Sequence, residues 1–100
     1  MSLKKGGAPK TLKTTLTIVG QGSADKLEIT YHNRKTSEVQ NTLEGGCSLA
    51  GLVVFLVESW STDFELTEEG VREAEDEYPG LVDAIITGFH RARRKELEKN

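Results

Sequence analysis

Two histidines, one cysteine and a dense run of carboxylates are the residues of this chain with chemistry to offer a substrate. His32, His90 and Cys47 stand alone, with no second ligand at the spacing a metal site uses. Cys47 lies between Gly46 and Ser48, and no feature nearby supplies a base. It reads as a small apolar side chain, expected to be buried. His90 follows Phe89 on an amphipathic stretch and reads as a surface or boundary residue. From Glu65 to Tyr78 there are seven acidic residues against Arg72 alone. General acid–base work needs two carboxyls in environments that tune them apart. So many carboxylates on one polar stretch read instead as a solvated helix face. Gly20-Gln21-Gly22 does not lead from a strand into a helix, and Gly45-Gly46 lacks the following lysine, so neither is a phosphate loop. No catalytic, cofactor-binding or metal-binding residue is expected, and the chain is read as a binder of other proteins.

The bulk properties agree with that reading. A chain of 100 residues is one domain's worth, with 36% hydrophobic and 29% charged residues. No apolar run reaches the roughly 18–20 residues that span a bilayer, and Met1–Lys10 lacks the apolar stretch of a secretory signal. One cysteine fits a reducing compartment. The net charge of −3 gives no general attraction to nucleic acid. The charge is uneven, however. Residues 1–35 carry seven basic residues against Asp25 and Glu28, and the end turns basic again at Arg91, Arg93, Arg94 and Lys95. An acidic middle and a basic end suggest head-to-tail association of copies, with Glu73 and Glu77 meeting Arg91 and Arg94 of a neighbour.

Several elements must carry these residues. Gly6, Gly7, Pro9 and three lysines make residues 1–10 a basic, flexible arm, leaving residues 11–100 as a single domain. Leu12, Thr14, Leu16 and Ile18 alternate with Lys13, Thr15 and Thr17. Leu27, Ile29 and Tyr31 then alternate with Lys26, Glu28, Thr30 and His32. This is an antiparallel β-hairpin over about 11–32, joined by a loop longer than two residues within Gly20–Asp25. Helices are expected over about 36–98. Ser37 with Gln40 has capping-box spacing for a short helix ending at Gly45-Gly46. Leu49–Trp60 is apolar at nearly every position, so period alone cannot decide its type. Its length and the Ser48 cap favour a buried helix with Leu52, Leu56 and Trp60 on one stripe. Thr67 caps the next helix, with Glu68 and Glu69 in its first turn and Leu66 and Val71 as a hydrophobic staple. Val71, Ala74 and Tyr78 form its inner stripe. Pro79 ends that helix and is suited to be the first residue of the last one. The last helix turns Leu81, Val82, Ile85, Ile86, Phe89 and Ala92 inward. The fold class is therefore α+β, an N-terminal hairpin packed on three to four helices, with the C-terminal half all helical.

Trp60 and Phe64 bracket the acidic connector, and aromatic anchors are enriched at interfaces. Both are partner-binding candidates, with Glu73, Glu77, Arg91 and Arg94. The order of motifs here is distinctive: Glu58-Ser59-Trp60-Ser61-Thr62-Asp63-Phe64-Glu65-Leu66-Thr67, an acidic helix, Tyr78-Pro79-Gly80, then Ala84-Ile85-Ile86 and Phe89. With the lysine-rich start and the two strands, it resembles the small tail assembly chaperones of long-tailed phages and prophages, over about residues 12–92. Gly45-Gly46-Cys47 departs from the resemblance, which leads one to expect continuous helix there.

The resemblance implies a chaperone that binds the tape measure protein, helps tail tube protein assemble around it, and is not retained in the virion. It implies work in the cytoplasm of the bacterial host; no membrane partner and no cofactor are expected, and a coat of small domains along such a client, with the uneven charge, suggests a weak homo-oligomer. Two other readings stand beside it: a small nucleic-acid-binding regulator using the basic arm and last helix, and a minor structural tail component. Glu96 and Glu98 interrupt the basic face that DNA would need. The resemblance further implies that such chaperones are often made in two lengths by a backward frameshift. Glu98-Lys99-Asn100 permits, without requiring, the slippery run A AAA AAC.

Overall fold

The computed structural model describes residues 4–20 and 23–98, without the side chains of 19, 20, 23 and 24. Its elements run β1 (Thr11–Gly20), β2 (Ser23–His32), α1 (Thr36–Glu44), α2 (Leu49–Leu56), β3 (Val57–Trp60), α3 (Glu68–Glu77) and α4 (Leu81–Glu98). The α+β class holds, but the sheet has three antiparallel strands in the order β1-β2-β3. Residues 1–3 of the basic arm, Gln21-Gly22 of the hairpin loop and Lys99-Asn100 lie outside the described residues.

The hairpin follows from its alternation. Leu12 pairs with Tyr31, Thr14 with Ile29 and Leu16 with Leu27, so the apolar positions of both strands share one face. Pairing continues to Gly20 opposite Ser23. The strands therefore take in residues expected to form a longer loop and leave only 21–22 between them.

The apolar segment splits where a continuous helix was expected. Ser48 caps α2 by accepting from the Gly51 N–H at 3.0 Å. The helix stops at Leu56, and Val57 takes extended angles, φ −95° and ψ 126°. Two contacts outside the segment explain the stop. Arg34 donates Nε–H to the Phe55 carbonyl at 3.0 Å and stacks 4.3 Å over the Phe55 ring, which satisfies an orphan carbonyl of the last turn. The free edge of β2 then takes up the chain, pairing Ile29 with Trp60, Thr30 with Ser59 and Tyr31 with Val57, so that Glu58 is the bulged residue. Ser61 extends the pairing through its N–H to the Glu28 carbonyl and its Oγ from the Glu28 N–H. Trp60 is thus a strand residue, off the Leu52–Leu56 stripe.

Helix starts differ in detail from the sequence reading. α1 begins two positions before the Ser37 cap would allow, at Thr36. The Lys35 N–H donates to Glu38 Oε1 at 2.9 Å, and lysine has no acceptor to return the favour. Thr67 caps α3 as expected, accepting from the Gly70 N–H at 3.0 Å. Gly70 belongs there for steric reasons, since a Cβ would run into the Glu65 carbonyl. Pro79 is not the first residue of α4. Gly80 intervenes with φ 97°, in the left-handed region glycine tolerates, and α4 starts at Leu81. Its start is capped from the previous helix: Glu75 accepts from the Gly80 and Val82 N–H groups, both at 2.8 Å. Tyr78, expected inside, is 36% exposed. Cys47 is only half-buried, packed against the margin of the core.

The core forms where α4 and α2 cover the apolar face of the sheet. Ile85 and Phe89 are fully buried with Leu52, Leu56, Leu16 and Ile29 in one cluster, as the inner stripes imply. Tyr31 is the largest fully buried side chain. Its ring meets Phe89 edge-on at 5.5 Å, and its hydroxyl donates to the Ile85 carbonyl at 2.7 Å. Burial pushes its pKa up. Gly88 makes room for this contact, since a Cβ there would sit 2.7 Å from the tyrosine hydroxyl.

Candidate partner-binding surfaces

Two grooves flank the core, one apolar and one acidic. The first measures about 1010 Å³ and runs between α1 on one side and α3 on the other, with α2 and α4 as its floor. Leu52, Leu56, Val82 and Ile86 line it from below. α1 buries a single residue, Val39. Its tie to α4 is at its start, where Arg93 donates Nη2–H to Thr36 Oγ1 at 3.2 Å beside the Lys35–Glu38 cap. α1 therefore stands as a wall and does not close over α2. Leu43, 50% exposed, and Leu49, 64% exposed, form the lip where α1 ends and α2 begins. Gly46, with φ 82°, turns the chain between them. The chain thus breaks at Gly45-Gly46-Cys47, where the Gly45 and Gly46 N–H groups close the last turn of α1 on the Asn41 and Leu43 carbonyls, both at 3.0 Å. The rim carries Arg72, Asp76 and Asp83.

The second groove, about 630 Å³, lies between the hairpin, the connector 61–65, α3 and the start of α4. Ile18, Leu27, Phe64 and Leu81 supply its apolar surface. Asp25, Asp63, Glu65, Glu69, Glu73 and Glu77 surround it, with Lys26 as the opposing charge. The connector is positioned by Trp60, whose indole N–H donates to the Phe64 carbonyl at 3.0 Å.

The partner-binding candidates thus separate. Phe64, Glu73 and Glu77 share the acidic groove, while Trp60 is half-buried behind Phe64 with its polar end already used. Arg91 and Arg94 are exposed on the last turns of α4 and join no ion pair among the described residues. The apolar groove was not legible in advance. Leu43, Leu49 and Ile86 each look like ordinary core residues, and only the standing-off of α1 leaves them open. Gly45-Gly46 was the available signal.

Among the described residues no helix is long and apolar enough to cross a membrane, and no three His, Cys, Asp or Glu residues gather as a metal-holding group. Comparison with curated proteins and with solved structures finds no match. The family model for phage tail assembly chaperones matches residues 1–100, the full length of the sequence. A chaperone family is not a family of enzymes, and tail proteins of a phage are the partners it suggests. The chain belongs to the phage tail assembly chaperone family.

Proposed function

We propose that the apolar groove holds an amphipathic helical segment of the tape measure protein, keeping it soluble until tail tube protein assembles around it. The chaperone acts in the host cytoplasm and leaves before the tail is complete. The observation that carries this reading is the open groove itself, with two leucines exposed at its lip. A helix laid in a groove buries its apolar stripe against such a floor, anchored at residues one turn apart. A tape measure protein is long, helical and without its final partner during assembly, so a small domain with one apolar groove, repeated along the client, suits the task. Residues 1–10 serve as a basic arm on a domain of residues 11–100.

The test is co-expression of tape measure segments with the chain. Wild-type chain is expected to shift the segments from pellet to supernatant. Leu43→Asp with Leu49→Asp, at half-exposed positions where the fold loses little, should abolish the shift. Equal pelleting of the client with and without wild-type chain refutes the holding role. A double variant as effective as wild type refutes the groove assignment. Mass spectrometry of finished virions should not find the chain; its stoichiometric presence there would favour a structural tail component.

A further inference from the structure

We infer that the apolar groove selects its client helix by charge order: it takes a segment whose apolar stripe lies between an acidic first turn and a basic last turn, and holds it antiparallel to α4. This rests on the reading that the groove binds a helical client, and adds which segments fit and which way they run. The two ends of the groove differ in sign. Asp83, Ile86, His90 and Arg93 follow one another along α4 at intervals of one turn, and all four line the groove. Asp83 and Arg93 stand roughly 15 Å apart along the helix. The acidic end is extended by α3. Glu75 reaches the Gly80 and Val82 N–H groups at 2.8 Å, which brings its neighbour Asp76 to the same end. The cation among the lining residues of α3, Arg72, faces Glu68 at 3.5 Å. Neither Asp76 nor Asp83 joins an ion pair among the described residues. At the opposite end Arg93 is held by its bond to Thr36 Oγ1 and by the Phe89 ring, 5.5 Å from its guanidinium. That guanidinium keeps further N–H donors for a carboxylate.

The direction follows from the client's own dipole. A helix favours carboxylates in its first turn and cations in its last. Laid antiparallel to α4, such a helix sets its basic turn over Asp76 and Asp83 and its acidic turn beside Arg93. The two helix dipoles then oppose each other as well. Laid parallel, the same helix meets like charge at both ends. A segment with the reverse charge order matches the groove only when parallel to α4, with its end charges set against its own dipole. Leu52 and Ile86 in the floor accept an apolar stripe in either direction. Charge at the ends therefore decides the direction and discriminates between segments. Asp76 and Asp83 are exposed, so the preference is modest and salt-sensitive.

Binding and photocrosslinking of the full chain with helical peptides of about fifteen residues test this. All the peptides share one apolar stripe. The first has Glu in its first turn and Lys in its last, the second exchanges them, and the third has Gln at both ends. A photoreactive phenylalanine derivative is placed at one end or the other. At low salt the first should bind roughly fivefold tighter than the third and tighter than the second. High salt should remove the difference. The N-terminal probe of the first peptide should label 36 and 90–93, and its C-terminal probe 76–83. Asp76→Asn with Asp83→Asn should reduce the advantage of the first peptide and leave the third bound as before, which separates lost charge from lost fold. The charge-order proposal alone is overturned, with the groove standing, if the three peptides bind equally at low salt. Reversed labelling, both probes labelling both ends alike, or a double variant that keeps the full preference does the same. Failure of every peptide to label the groove overturns the groove reading and the charge order with it.

Discussion

Replacing Gly88 with alanine tests how α4 grips the sheet. In the native chain the new Cβ would lie 2.7 Å from Tyr31 Oη and 3.0 Å from Leu16 Cδ2. Both neighbours are in the buried core, so neither retreats freely. Overpacking of this kind costs about 1–3 kcal/mol, while replacing glycine by alanine inside a helix returns about 1 kcal/mol. The alanine also pushes the hydroxyl from the Ile85 carbonyl, a bond worth about 0.5–1.5 kcal/mol net. Gly88→Ala alone should therefore destabilise the chain by about 1–3 kcal/mol. Tyr31→Phe removes the clashing oxygen and the bond together. In that background the closest obstacle is gone, the bond is no longer there to lose, and the same alanine should be close to neutral. A double-mutant cycle in urea, followed by circular dichroism, should show a favourable coupling of about 1–2 kcal/mol. Additivity within about 0.3 kcal/mol would refute the claim that Gly88 exists to admit the tyrosine hydroxyl.

Three further outcomes follow from the same core. Ile85→Ala should cost about 2–5 kcal/mol in a denaturant melt, since Ile85 is fully buried at the meeting of α4 and sheet; a loss under about half a kcal/mol would place the inner face elsewhere. Gly70→Ala should destabilise despite alanine's better helix propensity, because its Cβ meets the Glu65 carbonyl; a stabilised variant would contradict the steric reading of α3's first turn. The Tyr31 pKa is raised by burial above its unfolded value of about 10. Its proton is held more tightly in the folded state, so the stability it contributes is whole below pH about 10 and falls as pH rises beyond that. Tyr31→Phe should flatten that part of the pH–stability curve, measured by urea melts, and an unchanged slope would rule Tyr31 out as its source.

What was legible in the sequence was local. The hairpin could be read because one face meets solvent, so Leu12, Leu16, Leu27, Ile29 and Tyr31 alternate with polar residues. Thr67 and Ser48 announced their helices because capping is settled within three residues. The end of α2 was not legible, because Leu52–Val57 is apolar throughout and the decision lies with the distant edge of β2 and with Arg34. The start of α4 was hidden for a similar reason: its cap, Glu75, comes from the preceding helix. The candidate residues of the acidic groove were legible as charge, but not as a groove, since Phe64 and Leu81 join Glu73 and Glu77 only in the folded chain. The apolar groove depends on α1 standing clear of α2, a tertiary fact with a glycine pair as its trace.

Hydrogen exchange of the full chain, with and without a tape measure peptide predicted to form an apolar-faced helix, tests the central claim most directly. Binding at the apolar groove should slow exchange in 36–56 and 82–93, the walls and floor around Leu43, Leu49 and Ile86. Residues 57–65, with Trp60 and Phe64, should be little changed. Protection confined to 57–65, or no protection under conditions where the peptide is kept soluble by the chain, would contradict it.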